Sequence, residues 1–203
     1  MVDASYGSIT DLARSHTGWL TWGLTGLIIF KSIVQKTVAT SSSNAEMKAV
    51  FLAAKETLAV RGLTHEIFNR LGMEAEYSTL ATLIMTDSSA TVALTREPRN
   101  SEKSRHWLIA AQWLRQYQEY GHLRFAWIAG PHNPADLLTK VPVPKIWETW
   151  VNHLHESTWL ATYIQELIRE QLGVNFLTWE PPPFTAEIPS GYVPLPRLET
   201  LLQ

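Results

Sequence analysis

Hydrophobic and polar positions change period several times along the chain, and each change marks a predicted element. Residues 18 to 38 are rich in Trp, Leu, Ile, Thr and Val, carry almost no charge and are interrupted at Gly23 and Gly26. Branched and aromatic side chains pack well on a pleated surface and glycine accepts positive φ, so this stretch predicts two strands joined by a tight turn. The period then becomes helical, with Met47, Val50, Phe51, Ala54 and Leu58 on one face. Ser43 or Asn44 is expected to cap that helix, because a short side-chain oxygen can accept from the free N–H groups of a first turn. The helix is expected to reach Arg61, break at Gly62 and resume as a second piece to Leu71, with Gly72 as its stop.

Farther along, residues 79 to 86 predict a short buried strand that ends at Asp87, and residues 88 to 95 a brief helix. Residues 102 to 120 predict a long helix with Trp107, Leu108, Ala111, Leu114 and Tyr117 or Gln118 along one face, ended by Gly121. Residues 122 to 129 alternate as a strand, and the Gly/Pro loop after them leads into a helix holding Asp136. Beyond Pro142 and Pro144, Ile146, Trp147, Trp150, Val151, Leu154, Ile164, Leu167 and Ile168 predict an amphipathic helix. Its tryptophans, with Trp159 and Trp179, suit core packing or a partner-facing surface. After Gly173 repeated prolines, among them Pro181, Pro182 and Pro183, exclude regular helix or central strand and predict an extended or disordered tail. The expected organisation is a domain over 1–144, a Trp-rich helix over 145–173 and a Pro-rich tail over 174–203.

Composition narrows the possible functions. With 203 residues, 45% of them hydrophobic, the chain can bury the core of one ordinary domain. A net charge of −2 shows no global basic excess, so any contact with nucleic acid must be a local patch. The absence of cysteine excludes a disulfide framework, a thiolate zinc site and a cysteine nucleophile. The first residues lack the pattern of a secretory signal, and the most apolar stretch, 18 to 30, is short of the about 20 residues a spanning helix needs. An intracellular protein, cytoplasmic or nuclear and without a membrane span, is the expectation.

Four acids occupy positions where side chains of an α/β sheet protein could converge: Asp3 near the start, Glu46 at the first helix, Asp87 at a strand end and Asp136 after a loop. Taken singly, an acid near a helix N-terminus needs no function, since it stabilises the macrodipole by roughly 0.3–1 kcal/mol. The wording around all four alters that balance. Val2-Asp3-Ala4-Ser5-Tyr6, Arg14-Ser15-His16-Thr17-Gly18-Trp19, the run from Lys31-Ser32 through Gln35-Lys36-Thr37-Val38 to Asn44-Ala45-Glu46, Thr86-Asp87-Ser88-Ser89-Ala90, Lys103-Ser104-Arg105-His106 and Asn133-Pro134-Ala135-Asp136-Leu137-Leu138-Thr139-Lys140 follow one another in order. In these blocks residues 2 to 145 resemble the ribonuclease H domain of copia-type retrotransposon polyproteins.

The resemblance implies an α/β, ribonuclease H-like fold: a mixed, roughly five-stranded sheet flanked by helices. It implies Asp3, Glu46, Asp87 and Asp136 as catalytic metal ligands for two Mg²⁺ or Mn²⁺ ions, which suits hard cations that prefer oxygen. The implied reaction is hydrolysis of the RNA strand of an RNA·DNA hybrid, with a reverse transcriptase domain of the same polyprotein as a partner. Ser42, Ser43, Asn44, Ser88, Arg105 and His106 are the expected substrate contacts, with Lys31, Lys36, Lys103 and Arg115 as further candidates for phosphate, and His132 is a candidate auxiliary residue. Two departures bear on this. Lys48 replaces the family's second acid if Glu46 aligns with the first of its two glutamates, whereas a shifted register aligns Glu46 with the second. Only two residues precede Asp3, so a shortened first strand in a fragment of a longer polyprotein is expected, and a decayed module that binds without turnover is the alternative function.

Overall fold

The computed structural model describes residues 1–23, 26–72, 81–96 and 105–140, together with Pro144 and Trp150. Five strands, β1 (Val2–Ile9), β2 (Arg14–Gly23), β3 (Gly26–Val34), β4 (Thr82–Thr86) and β5 (Leu123–Trp127), form one mixed sheet in the order β3-β2-β1-β4-β5. The first three are antiparallel neighbours, whereas β1–β4 and β4–β5 are parallel. This is the expected α/β architecture, a five-stranded sheet flanked by helices and consistent with a ribonuclease H-like fold. Pairing of β1 with β2 begins with the first residues: Leu20 N donates to Met1 O, Met1 N donates to Leu20 O, and Val2, Asp3 and Ala4 pair in register with Trp19, Gly18 and Thr17.

Helices α1 (Ser42–Arg70), α2 (Ser89–Arg96) and α3 (Arg105–Glu119) follow β3, β4 and the segment after α2. On one face of the sheet Val2, Ala4, Trp19, Ile84, Leu123 and Phe125 meet Met47, Val50, Ala54 and Leu58 of α1 and Ala111 and Leu114 of α3 in one apolar cluster. Fully burying such an aliphatic side chain stabilises the fold by about 1.5–3 kcal/mol, so this layer anchors everything built on it. A second cluster joins Met1, Leu20, Met85, Ala126 and Ile128 to Ala135. Alternation along each strand sends neighbouring residues to the two faces, and a five-residue 3-10 turn, Pro134–Leu138, lies on the second one.

Several boundaries differ from the sequence expectation, each for a local reason. The helix does not break at Gly62; α1 runs unbroken to Arg70. A glycine in a helix costs only about 1 kcal/mol relative to alanine, less than leaving a new pair of helix ends unsatisfied. Arg61 donating to Thr82 Oγ1 and the Glu66–Arg70 pair support the distal part. Gly72 does follow the stop, at φ +71. The cap is Ser41, whose side chain accepts from Asn44 N, and not Ser43 or Asn44, so Glu46 belongs to the second turn. Asp136 occupies the 3-10 turn, not an α-helix. Residues 141–143, 145–149 and 151–203, with the predicted Trp-rich helix and Pro-rich tail, lie outside the described residues; Trp150 is buried.

Candidate metal centre

Two of the four acids stand at the ends of central strands. Asp3 is the second residue of β1, and Asp87 directly follows β4. The register between β1 and β4 is a single pair, Val2 with Thr86, so the two strands part just where Asp3 and Asp87 stand. Beyond the carboxyl ends of parallel strands the backbone opens into a crevice, the usual place for a ligand in an open α/β sheet. Asp136 enters from the turn after β5. One carboxylate oxygen from each of Asp3, Asp87 and Asp136 lies within 4.8 Å of the others. Opposite oxygens around Mg²⁺ stand about 4.2 Å apart, twice a 2.1 Å bond, so a small inward movement would complete the fit.

The turn carrying Asp136 is held by residues distant in sequence. Asn133, fully buried, donates from Nδ2 to Val2 O at 3.0 Å and accepts from Ala135 N at Oδ1, fastening the turn to the start of β1. Gly18, paired with Asp3 across β1 and β2, makes the close approach possible: a Cβ there would stand 2.6 Å from Leu138 Cβ and 3.0 Å from Ala135 O. Ser32 Oγ donates to Leu138 O from the edge strand. Thr139 Oγ1 donates to Asp3 Oδ2, and Lys140 Nζ lies 2.9 Å from Asp136 Oδ1 and 3.8 Å from Asp3 Oδ2. On the other side Trp127 Nε1 donates to Asp87 O at 2.9 Å, fixing the backbone at the end of β4.

Glu46 arrives from the helix layer. Gln35 Nε2 bridges Thr17 Oγ1 and Ala45 O, both at 2.9 Å, and so ties the end of β3 and the start of α1 to β2. Ala4 N donates to Glu46 Oε1 at 3.2 Å, while Glu46 Oε2 is buried with no hydrogen-bond partner. A buried carboxylate oxygen without a donor is costly, and a cation is the natural partner for it. Lys48, which replaces the family's second acid when Glu46 aligns with the first, donates from Nζ to Val38 O at 2.9 Å.

Electrostatics mark Glu46, Asp3 and Asp87. Burial, then the charges of Asp3 and Asp87, push the Glu46 carboxyl up to about 9 from an ordinary 4.5. Asp3, only 1% exposed, is pushed up to about 6 by burial first, with the Thr139 hydrogen bond acting against it and Asp136 adding to it. Asp87 is raised by burial and then by Asp136. Burial and mutual repulsion thus favour the protonated forms of these three acids, and a divalent ion would favour their ionised forms.

No protein-family model matches the chain. It is 30% identical over 144 residues to a Retrovirus-related Pol polyprotein from transposon TNT 1-94 of Nicotiana tabacum. The chain is similar to one segment of a retrotransposon polyprotein. The match takes in 70% of this chain and spans 10% of that polyprotein. It supports a retrotransposon polyprotein origin.

The remaining expected contacts divide by position. Ser42 and Ser43 lie in the first turn of α1, with Ser42 exposed, one turn ahead of Glu46. Asn44 is buried and its Oδ1 accepts from Thr40 N, closing the loop before the helix. Ser88 Oγ accepts from Thr91 N and caps α2. His132 lies exposed in the loop before Asn133. Lys31 is paired with Glu56 of α1 at 2.7 Å; Lys36 is exposed, and Arg115 is partly buried on α3. Arg105 and His106 open α3, but their side chains, like Lys103, lie outside the described residues. Gly18, Asn133, Thr139 and Lys140 stand inside the matched blocks, but nothing in their residue type assigns them a role there. Their signal was their place in those blocks beside the two aspartates that the structure brings together.

The described helices include none long and apolar enough to cross a membrane.

Proposed function

We propose that this chain is a divalent-metal-dependent nuclease of the ribonuclease H type, hydrolysing the RNA strand of an RNA·DNA hybrid. The observation that carries the reading is the convergence of Asp3, Asp87 and Asp136 within 4.8 Å where β1 and β4 part, with Glu46, its buried Oε2 partnerless, near enough to feel the charges of Asp3 and Asp87. Four carboxylates of this kind fit Mg²⁺ or Mn²⁺, which take oxygen ligands and retain water. Bound as a pair, such ions supply a hydroxide nucleophile at neutral pH and neutralise charge on the leaving 3′-oxygen.

The chain's own residues would do the rest. Thr139 orients Asp3 by donating to one of its oxygens, leaving the other for a ligand. Glu46 holds a proton in the metal-free protein at neutral pH and gives it up when it ligates. Ser42 and Ser43 offer hydroxyls and first-turn N–H groups at the positive end of a 29-residue helix, suited to the phosphate backbone. Selection of the RNA strand would rest on 2′-hydroxyls and duplex shape rather than on base edges. A reverse transcriptase domain of the same polyprotein, which would deliver the hybrid, is the partner this reading expects.

The test is cleavage of an end-labelled RNA·DNA hybrid with Mg²⁺ or Mn²⁺ by the wild type and by Asp87→Asn. Cutting of the RNA strand alone, to 3′-hydroxyl and 5′-phosphate ends, is expected from the wild type and should vanish in the variant. A folded wild-type chain that binds the hybrid without cutting it would sink the nuclease reading and leave a binding module.

A further inference from the structure

One cation already stands among the acids. Lys140 Nζ contacts Asp136 Oδ1 at 2.9 Å and lies 3.8 Å from Asp3 Oδ2, and Lys140 N donates to Asp136 O, which closes the turn. The two ends of the ion pair are unlike: the Lys140 side chain is 50% exposed, whereas that of Asp3 is 1% exposed. The ammonium thus sits at the mouth of the cluster and faces a buried charge inside it. Burial works against the charge on Lys140, but the Asp136 hydrogen bond and the charges of Asp3, Asp136 and Asp87 outweigh it.

The carboxylates that Lys140 approaches, Asp136 and Asp3, are two of the three that a divalent ion would draw on. An ion bonded at about 2.1 Å to Asp136 would stand within a few ångströms of the ammonium, and two cations at that separation repel. A lysine is a compact charge on a flexible four-carbon stem, and half of this side chain already faces solvent, so it has somewhere to go. The backbone bond from Lys140 N to Asp136 O does not depend on where the ammonium lies, so the turn can persist when the side chain leaves.

We propose that Lys140 is a tethered counter-ion: it holds the metal-free acids together and is expelled when a divalent ion enters, so that it sets the metal concentration needed to fill the site. This rests on the metal-centre reading above. Lys140 is then a positioning residue whose effect is read in metal binding, not in turnover.

The experiment uses the full chain, stripped with EDTA and titrated with Mn²⁺ by calorimetry at pH 8, with thermal melting in EDTA and in saturating Mn²⁺. Lys140→Met should bind Mn²⁺ several-fold more tightly than the wild type. It should also melt lower than the wild type in EDTA yet alike in Mn²⁺, because the metal-loaded form no longer uses the ammonium. Lys140→Arg, which keeps the charge, should stay close to the wild type in both. Equal Mn²⁺ affinity in Lys140→Met and wild type, with the same loss of melting temperature in EDTA and in Mn²⁺, would overturn the counter-ion and leave the metal centre standing. No Mn²⁺ binding by either protein would overturn both.

Discussion

Glu46 rides on a 29-residue helix, whereas Asp136 sits in a five-residue 3-10 turn, and these two regions hold their carboxylates by different physics. The helix is fixed by its apolar face: Met47, Val50, Ala54 and Leu58 on β1, β2 and α3 leave Glu46 little freedom, and its Oε2 has no partner. The turn puts Ala135 and Leu138 against the second, smaller apolar cluster. It is fixed by single contacts from elsewhere, namely the bare backbone of Gly18, the amide of Asn133 and the hydroxyl of Thr139. One acid is placed by a core and the other by a few specific bonds, so the turn-borne acid should be far more sensitive to point changes.

The largest expected effect tests that contrast at Gly18. Gly18→Val puts side-chain atoms where Leu138 and Ala135 already lie. Overpacking of this kind costs about 1–3 kcal/mol, and here the displaced element is the Asp136 turn. Urea unfolding should show that loss while Mn²⁺ affinity falls much further than stability. Retained metal affinity would show that the turn can re-seat, and would erase the distinction between the two regions.

Next is the pH dependence of the metal-free protein, which addresses the helix-borne acid. Asp3 and Glu46 both have folded-state pKa values above their ordinary ones, about 6 against 3.8 and about 9 against 4.5. The folded protein therefore binds more protons than the unfolded chain across that span, and its stability falls as pH rises. For these two groups the decline begins near pH 4, is complete for Asp3 above about 6 and continues for Glu46 to about 9. In EDTA, melting temperature should drop from pH 6 to 9 in the wild type, and Glu46→Gln should flatten that upper part. A wild-type profile already flat from pH 6 to 9 would mean that Glu46 is not held as a buried acid. Added Mn²⁺ should also shrink the decline.

The smallest effect belongs to the helix start. Ser41→Ala removes the oxygen that accepts from Asn44 N and should cost about 1 kcal/mol. Because the core, not the cap, positions Glu46, Mn²⁺ affinity should not change. A fall in affinity comparable to that of Gly18→Val would show that both acids depend on local bonds.

Much of this arrangement was legible along the chain, and what was missed shares one cause. The strand pair around Gly23 and Gly26, the helix face from Met47 to Leu58 and the strand ending at Asp87 follow from period and composition, because those patterns record which face is buried. The order of the acids could be read too, since each lies in a block of matched residues. Gly62 misled because a lone glycine signals a break only when nothing else supports the helix; here Arg61 reaches Thr82 on β4, 21 residues away. The cap was displaced to Ser41 because three serines in a row offer equivalent oxygens, and the choice was made by how Gln35 and Asn44 close the loop.

By itself, then, the sequence determined the alternation of strands and helices, the apolar layer between them and the identity of the four acids, all properties of local period and residue type. Only the tertiary structure decided that three of those acids meet within 4.8 Å, that Gly18 exists to admit a turn 120 residues away, and that Lys140 stands among the carboxylates. Such contacts depend on the strand order that sets β1 beside β4 and lays the last turn across β1 and β2. No spacing along the chain encodes them, because each joins residues whose separation in sequence carries no period.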